Sequence, residues 1–285
     1  MSAIAANLWS GSTTPELTEE DLRFFCQVIE ARAGIALKPA KHDLVRTRLR
    51  SRISARGLST YTEYRQLLES LTKTDPEWEV FTNLLTTNKT DFFREPKHFE
   101  YLAEKILPLW HKSPHPTFKV WCAASSTGEE AYTLAMVLDR HIDKNRDFKI
   151  LATDIDTHVL RHADNGVYSL SKKSEIPPHY HPASIDLGKN EAQGWFRIKP
   201  HLKEKIVFRQ HNLIENTSPG EKVFDLVLCR NVLIYFNPPN IDFVQKKIFR
   251  TVKEGGHFFI GHSESLQGLN HRWKNTGPSI FMKGS

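Results

Sequence analysis

The stretch FKVWCAASSTGEE, residues 118–130, decides the fold class of this chain. Its apolar first part, Phe118–Ala123, has the length of a buried strand, and a loop of small and polar residues ending in two acids follows it. A helix is predicted next, over residues 128–139. A strand, a short loop and a helix in this order are typical of an α/β fold.

The same unit recurs along the later part of the chain. Short apolar runs alternate there with helical patterns, which predicts a parallel sheet with crossover helices. Further strands are predicted at 148–153, 206–210, 224–229, 257–260 and, at the sheet edge, 279–283, and further helices at 156–166 and 239–252. Residues 168–205 interrupt the alternation and contain one strand-like patch at 195–198, so we interpret them as an inserted small β-subdomain.

Residues 17–87 have a helical period instead. Four helices are predicted, the third opening on a capping box formed by Thr60 and Glu63. We therefore predict a small all-helical domain at 17–87, a linker with one connecting helix at 88–117, and an α/β domain at 118–285.

Composition excludes several classes of protein. The chain has 285 residues, 39% of them hydrophobic and 25% charged, as is ordinary for a globular protein. No apolar stretch approaches the roughly 20 residues that span a bilayer, and residues 1–20 lack the pattern of a secretory signal. Three widely spaced cysteines, Cys26, Cys122 and Cys229, are predicted to be buried, reduced thiols of a cytoplasmic protein. The net charge of +6 favours an acidic partner without choosing its kind.

The loops after the first two strands carry acids. Open parallel sheets bind ligands at the carboxyl ends of their strands. The loop after the first strand contains Glu130. This loop is not GxGxxG, which disfavours a dinucleotide ligand. The alternative role of Glu130 is to complement the dipole of the next helix. Asp154 follows the second strand, where an acid commonly holds ribose hydroxyls. Its alternative role is to cap the next helix, but Asp156 is better placed for that.

The loops after the third and fourth strands add polar groups. Asn212 and Leu213 could bracket an adenine, and Arg230 and Asn231 come directly after an apolar strand, where burial without partners is costly. Together the loops suggest a nucleoside ligand without a pyrophosphate. S-adenosylmethionine fits, since it has a ribose, an adenine, a cationic sulfonium and an amino-acid tail.

Several runs together resemble one family, the chemotaxis-receptor glutamate methyltransferases (CheR-type). The runs are TTNKTDFFRE at 86–95, ASSTGEE at 124–130, DID at 154–156, CRNVLIYF at 229–236 and GHSES at 261–265. The runs occur in the family's order, and the resemblance as a whole covers roughly residues 17–283. The resemblance implies a helical domain followed by a Rossmann-like class I methyltransferase domain with an inserted β-subdomain.

The resemblance also implies roles for particular residues. Asn88, Thr90 and Arg94 would contact S-adenosylmethionine from the linker, and Ala124 would let it approach the backbone. Glu130 would bind its amino-acid end and Asp154 its ribose. The remaining cofactor and catalytic positions are Asn212 and Leu213 at the adenine, Arg230 and Asn231 lining the pocket, and Tyr235 with Arg94 near the transferring methyl.

The implied reaction methylates glutamate side chains of bacterial chemoreceptors and releases S-adenosylhomocysteine, and we expect no metal to be needed. The inserted subdomain, with a loop at 188–194, would dock a receptor's C-terminal peptide. The second helix is rich in arginine, which is often only a solvated face. Arg48 and Arg52, one turn apart, are predicted to pair with receptor carboxylates.

Two rival functions are set aside. A nucleic-acid methyltransferase is suggested by the basic charge and by Asn237-Pro238-Pro239-Asn240, but that motif comes after Tyr235-Phe236 rather than directly after the fourth strand. It is better interpreted as a helix start, so we predict no nucleic-acid partner. The other rival is a non-catalytic adaptor. The intact set of predicted pocket residues argues against it, and cofactor binding without methyl transfer would identify it.

Overall fold

The computed structural model describes residues 16–38 and 41–284, and the chain divides into two compact units. The helical unit ends at Leu85 and the α/β unit continues from Thr86, so the predicted linker at 88–117 belongs to the α/β unit. The short segment Ala33–Ala36 belongs to the α/β unit as well. Its place is fixed by a β-bridge between Ile35 and Phe236.

The helical unit is built around an aromatic core. Its helices in the described residues are α1 (Glu19–Ala33), α2 (His42–Ala55), α3 (Tyr61–Ser70) and α4 (Glu77–Leu85). Phe25 is fully buried and lies about 6 Å, ring to ring, from both Tyr64 and Phe81. The predicted capping box is confirmed, because the Glu63 N–H donates to the Thr60 hydroxyl and the Glu63 side chain accepts from the Thr60 N–H.

A connecting helical segment opens the α/β unit. It consists of α5 (Lys97–Tyr101), a π-helical turn (Leu102–Ile106) and α6 (Leu107–Trp110). Pro108, which has no N–H to donate, is the second residue after the π-helical turn. Leu102, Leu107 and Trp110 are buried in the core of the α/β unit.

The α/β unit alternates strands and helices. In chain order these are β1 (Thr117–Ala123), α7 (Glu129–His141), β2 (Asp147–Asp154), α8 (Thr157–Asn165), β3 (Val167–Ser169), α9 (His181–Ser184), β4 (Ile185–Leu187), β5 (Trp195–Ile198), α10 (Pro200–Lys203), β6 (Ile206–Gln210), β7 (Phe224–Cys229), α11 (Pro238–Thr251), β8 (Val252–Phe259), β9 (Trp273–Gly277) and β10 (Ile280–Lys283).

In the described part of the chain, seven strands form one sheet in the order β6-β2-β1-β7-β8-β10-β9. Strands β6, β2, β1, β7 and β8 are parallel to one another, and β10 is antiparallel to both β8 and β9. The strand order reverses next to β1, and such a reversal leaves a crevice at the carboxyl ends of the strands. The predicted Rossmann-like fold is thereby confirmed.

The insertion is a separate small sheet. Strands β3, β5 and β4 pair antiparallel in that order. Tyr168 of β3 and Phe196 of β5 are buried and face each other with ring centroids 5.7 Å apart. Phe92 of the linker contacts both rings. The predicted inserted β-subdomain is confirmed.

Some boundaries differ from the prediction. Strand β8 begins at Val252 rather than at residue 257, because its first half, with Lys253 and Glu254, is polar and lacks a strand's apolar signal. Strand β9 was not predicted for the same reason: Lys274 and Asn275 are exposed.

The structure also bears on the predictions about the cysteines and about membrane-spanning segments. Cys122 and Cys229 are buried free thiols, whereas Cys26 is only half-buried, so the prediction of full burial was wrong for that residue. Within residues 16–38 and 41–284, no helix combines the length and apolar character that crossing a bilayer requires.

Candidate active site

A cleft opens at the carboxyl ends of β1, β2, β6 and β7, within the α/β unit. Its empty volume is about 910 Å³, including the space open to solvent. The lining contains every cofactor-binding and catalytic residue predicted from the sequence: Asn88, Thr90, Arg94, Ala124, Glu130, Asp154, Asn212, Leu213, Arg230, Asn231 and Tyr235. The structure brings these residues together, while their individual roles stay predictions.

The loop after β1 is held in an unusual backbone conformation. Ala124 and Ser126 have φ values of 62° and 50°, in the left-handed region that side chains disfavour. Such residues cost on the order of 1–3 kcal/mol each and concentrate at functional sites. The N–H of Ser126 donates to Asp154 at 2.8 Å, which holds the first loop against the second.

Gly128 ends that loop at the first turn of α7. Its φ is +95°, and a Cβ at this position would lie 2.8 Å from the Cβ of Ala163. Both the backbone and the space therefore require glycine. The position lets α7 start close to the sheet and places Glu130 in its first turn.

Asp154 ends β2 beneath the cleft. Its carboxylate accepts N–H groups from Ser126 and Asp156 at 2.8 and 3.0 Å. Burial nevertheless raises the pKa of Asp154 to about 6, because these bonds only partly offset the loss of water. Asp156 caps α8 by accepting from the N–H groups of His158 and Val159. The prediction that Asp156 is the capping residue is therefore confirmed.

Arg230 pairs with two carboxylates at the cleft. Its side chain is 1% exposed and lies 3.0 Å from the carboxylates of both Glu95 and Glu130. Burial raises the pKa of Glu130, and Arg230 offsets part of that rise. For Glu95 the balance is reversed: burial would raise its pKa, but Arg230 and Asn231 together hold it below its usual value. Glu95 was not among the predicted site residues.

The linker is tied to the cleft from two sides. The Asn88 side chain donates to Asp156 at 2.8 Å, and the Asn88 carbonyl accepts from the Ser126 hydroxyl at 2.8 Å. From the inserted subdomain, Lys172 donates to the Thr90 carbonyl at 3.2 Å. Arg94 reaches back to the Lys89 carbonyl at 3.1 Å.

The loop after β6 forms the side of the cleft that is predicted to hold the adenine. Leu213 is buried and Asn212 accepts the N–H of Ile214 at 3.2 Å. Lys247 of α11, itself buried, donates to the carbonyl of Glu215 at 2.9 Å and so supports this loop from behind. Burial lowers the pKa of Lys247 to about 8.

Family models identify the chain at this point. One described as the CheR methyltransferase SAM binding domain matches residues 88–281, and one described as the CheR methyltransferase all-alpha domain matches residues 20–86. The chain belongs to the CheR methyltransferase family. The cleft lies in the matched SAM-binding part, so this CheR-family protein is a methyltransferase that uses S-adenosylmethionine.

Whole-length relatives agree. The chemotaxis protein methyltransferase of Salmonella typhimurium is 35% identical over 266 residues, covering 93% of this chain and 90% of that protein. The protein of the same name from Borreliella burgdorferi is 34% identical over 274 residues, covering 94% and 95%. The one from Escherichia coli is 35% identical over 268 residues, covering 93% and 91%.

Tyr235 of this CheR-family protein is held by its backbone. It ends a 3-10 helix (Leu233–Tyr235), and its carbonyl accepts the N–H of Ala36 at 2.7 Å. The side chain is half-buried and lines the cleft. The segment Ala33–Ala36 thus contributes to the site, and its long-range bridge had no local sequence signal.

Glu264 fixes the loop that carries Asn231 and Tyr235. Its buried carboxylate accepts the N–H groups of Asn231 and Leu233 at 2.8 and 2.7 Å. Asn231 has a φ of 58°, so its strained backbone is held by this carboxylate. Burial raises the pKa of Glu264 despite these bonds. Glu264 lies in the GHSES run noted in the sequence, but its hydrogen bonds to this loop could be seen only in the folded structure.

The predicted docking arginines belong to the helical unit. Arg52 makes a two-pronged hydrogen-bonded ion pair with Glu77, whose side chain is 4% exposed. Arg48 is half-buried and donates to the carbonyl of Leu84 at 3.1 Å. Both side chains therefore help hold α2 to α4. On the outer face of α2, Arg46 and Arg50 are exposed.

Proposed function

We propose that this CheR-family protein methylates glutamate side chains of bacterial chemoreceptors in the cytoplasm, giving glutamate methyl esters and S-adenosylhomocysteine. The observation that carries the proposal is the convergence of Glu130, Asp154 and Arg230 in one cleft at the switch point of the sheet. The relatives' names supply the chemotaxis context.

The donor set of the cleft fits S-adenosylmethionine. Glu130 offers a carboxylate for the ammonium of the amino-acid tail, and Asp154 offers one for the ribose hydroxyls. Among the described residues, Nε of Arg230 makes no hydrogen bond of standard geometry, which suits a ligand that brings its own carboxylate. Leu213 supplies an apolar wall for the adenine.

The chemistry requires little beyond positioning. When bound, S-adenosylmethionine supplies a methyl group on a cationic sulfur. The substrate glutamate has an ordinary pKa of about 4.3 and is already ionised at neutral pH, so the chain need not provide a general base. What its residues provide is alignment and exclusion of water, which lower the barrier through proximity and orientation.

Tyr235 and Arg94 are assigned to the substrate carboxylate. Both line the cleft; the Tyr235 carbonyl accepts the N–H of Ala36, and the Arg94 side chain donates to the Lys89 carbonyl. A phenol can orient a carboxylate by one hydrogen bond and leave its second oxygen free to react. A tight ion pair with Arg94 would reduce that nucleophilicity, so we assign orientation to Tyr235.

The receptor is proposed to dock on α2. Arg48 and Arg52 are held in fixed positions by partners within the helical unit, and the Glu77 carboxylate offsets part of the charge of Arg52. Exposed Arg46 and Arg50 extend the same positive helix. Glutamates on a receptor helix would meet this face with complementary charge, which favours fast and oriented association.

A receptor's C-terminal peptide is proposed to dock at the inserted subdomain. The loop 188–194 joins β4 to β5, and the residues flanking it, Leu187 and Trp195, are about half exposed. Exposed apolar side chains beside a sheet edge are suited to an added peptide strand. Deleting this loop should weaken binding to a full-length receptor; unchanged binding would refute this docking mode.

The proposed function is tested by the stability of the product. The full-length protein is incubated with methyl-labelled S-adenosylmethionine and receptor-bearing membranes, and the products are then treated with mild base. Label released as volatile methanol is expected, because carboxyl methyl esters hydrolyse in base. Label that resists base would refute glutamate methylation, and binding of S-adenosylhomocysteine without any transfer to receptors would indicate an adaptor.

A further inference from the structure

A cluster of potential metal ligands lies beside the cleft. Glu95, His98 and His262 bring a carboxylate and two imidazoles together, with their nearest ligand atoms all within 4.8 Å of one another. Nδ1 of His98 is 3.5 Å from Oε2 of Glu95, and Nε2 of His262 is 4.0 Å from the same oxygen. Two histidines and one carboxylate, completed by water, are a donor set that Zn²⁺ accepts in tetrahedral geometry.

The polar ring of His98 is buried without a well-formed hydrogen bond to the residues that the structure describes. The side chain is 1% exposed, and among the described residues neither ring nitrogen makes a hydrogen bond of standard geometry. Buried polar groups are nearly always satisfied, so such a residue calls for an explanation. The backbone of Pro278 offers the ring an acceptor, which is the kind of support that a metal-bound histidine usually has on its other nitrogen.

We propose that Oε2 of Glu95, Nδ1 of His98 and Nε2 of His262 form a Zn²⁺ site, and that its occupation weakens cofactor binding in the cleft. Magnesium and calcium prefer all-oxygen sites, whereas imidazole suits zinc. The His262 side chain is 46% exposed, so the ion can enter from solvent on that side.

The coupling follows from the other bonds of Glu95. Its Oε2 lies 3.0 Å from Arg230, and its Oε1 accepts from the Asn231 side chain at 3.2 Å. A metal ion on Oε2 competes with Arg230 for that oxygen and repels the guanidinium. Arg230 and Asn231 both line the cleft, so their displacement changes the cofactor site. The same repulsion makes this a weaker site than a structural zinc centre. Linkage requires the reverse effect as well: bound cofactor weakens the metal.

Metal binding is tested directly with the full-length protein, freed of any affinity tag and of metal. Co²⁺ is titrated as the probe, and its visible absorption reports the ligand geometry. The wild-type protein should saturate at a single equivalent with a tetrahedral spectrum that Zn²⁺ displaces. His262→Ala and His98→Phe should weaken binding at least about tenfold, since even outer-shell changes cost 10–100-fold.

The control is His201→Ala, which removes an exposed histidine that lies 3.7 Å from Asp139, outside the cluster. It should bind Co²⁺ like the wild type. If both cluster variants retain wild-type binding, or if the wild type shows no saturable site, the metal site is refuted.

The effect on the cofactor rests on the proposed cofactor site and has its own measurement. S-adenosylhomocysteine binding is followed by calorimetry in metal-free protein and with saturating Zn²⁺. The dissociation constant should rise with Zn²⁺ in the wild type and stay constant in His262→Ala. An equal constant in both wild-type states would refute the coupling. Absence of S-adenosylhomocysteine binding in the metal-free protein would instead refute the proposed cofactor site.

Discussion

The guanidinium of Arg230 lies 3.0 Å from the carboxylate of Glu130, joining the residue that follows β7 to the first turn of the helix that follows β1. These strands are neighbours in the sheet. Since both side chains come from the carboxyl ends of strands, the pair closes the floor of the cleft where the strand order reverses. The pair therefore fixes a carboxylate where the amino-acid tail of the cofactor is proposed to lie.

Replacing Glu130 by Gln is expected to weaken cofactor binding without unfolding the protein. The amide keeps the volume but loses the charge that faces the ammonium group, while Arg230 retains Glu95 as a partner. The dissociation constant for S-adenosylhomocysteine should rise at least about tenfold, or ~1.4 kcal/mol. Calorimetry measures it, with Glu129→Gln as the neighbouring control, because Glu129 pairs with Lys172 instead. Equal affinities in the two variants would contradict the role of Glu130.

The raised pKa of Asp154 predicts that cofactor affinity and the free energy of unfolding change in opposite directions with pH. Its folded-state pKa of about 6 lies above the ordinary value of 3.8, so its contribution to the free energy of unfolding is fully present below about pH 3.8 and is lost as pH rises through 6. Cofactor binding should instead strengthen through the same range, because the ionised carboxylate is the better acceptor for ribose hydroxyls.

Calorimetric titrations of S-adenosylhomocysteine around pH 6 measure this dependence. Asp154→Asn should bind more weakly and lose the step near pH 6. A variant that keeps the same step would show that another group is responsible.

The pair between Arg52 and Glu77 predicts a change in stability. Arg52→Met leaves the buried Glu77 carboxylate with the Tyr64 hydroxyl and with Arg56 at 3.9 Å, but without its two-pronged partner. The free energy of unfolding should fall by about 2 kcal/mol, measured by denaturant titration at neutral pH. Burial alone would raise the pKa of Glu77, but Arg52 and Tyr64 hold it below its usual 4.5. Its stabilising contribution is therefore present above pH 4.5 and is lost as the pH falls through the folded-state value.

Adding Glu77→Gln to Arg52→Met should restore part of the stability, because no buried charge then lacks a partner. A double variant as unstable as Arg52→Met would indicate that packing by the arginine stem, rather than its charge, holds α2 to α4.

Receptor docking on α2 predicts a kinetic signature. Arg48→Glu and Arg50→Glu should each raise the KM for receptors more than they lower kcat, because they remove binding that is equal in ground and transition states. Arg50 is the cleaner test, since it is exposed whereas Arg48 also supports Leu84. Lys73→Glu, an exposed charge reversal between α3 and α4, is the matched control. A fall in kcat alone would contradict docking by α2.

Much of the fold was predictable because its signals are local. The apolar run of β1 and the capping box at Thr60 each depend on adjacent residues. Strands β3 and β4 are three residues long, too short for a periodic signal. The bridge from Ile35 to Phe236 depends on pairing across most of the chain, which no local pattern encodes.

The residues of the candidate site likewise divide into those with a local sequence signal and those without one. Asp154 ends one apolar strand and Glu130 lies in the helical turn after the loop that follows another, so their positions at the cleft could be predicted from the sequence. Glu95 could not, because its importance comes from Arg230, which lies far along the chain. Arg52 looked like a surface charge, since Glu77, its buried partner, stands on another helix.

Tyr235→Phe is expected to separate orientation of the substrate from packing on the cofactor. The variant keeps the ring, and the backbone bond from Ala36 to the carbonyl of residue 235 is unaffected. If the hydroxyl orients the glutamate carboxylate, kcat should fall about 10- to 100-fold, the scale on which misplaced reacting groups slow a reaction. The affinity for S-adenosylhomocysteine should stay unchanged.

Tyr235→Leu completes the test, because it removes the ring as well. Packing on the cofactor predicts that Phe retains full activity while Leu weakens S-adenosylhomocysteine binding. Orientation predicts that both variants lose kcat to a similar extent. Single-turnover transfer to receptor membranes and calorimetric binding measure the two quantities separately, so normal transfer by Tyr235→Phe would exclude the hydroxyl from the reaction and leave Arg94 as the orienting group.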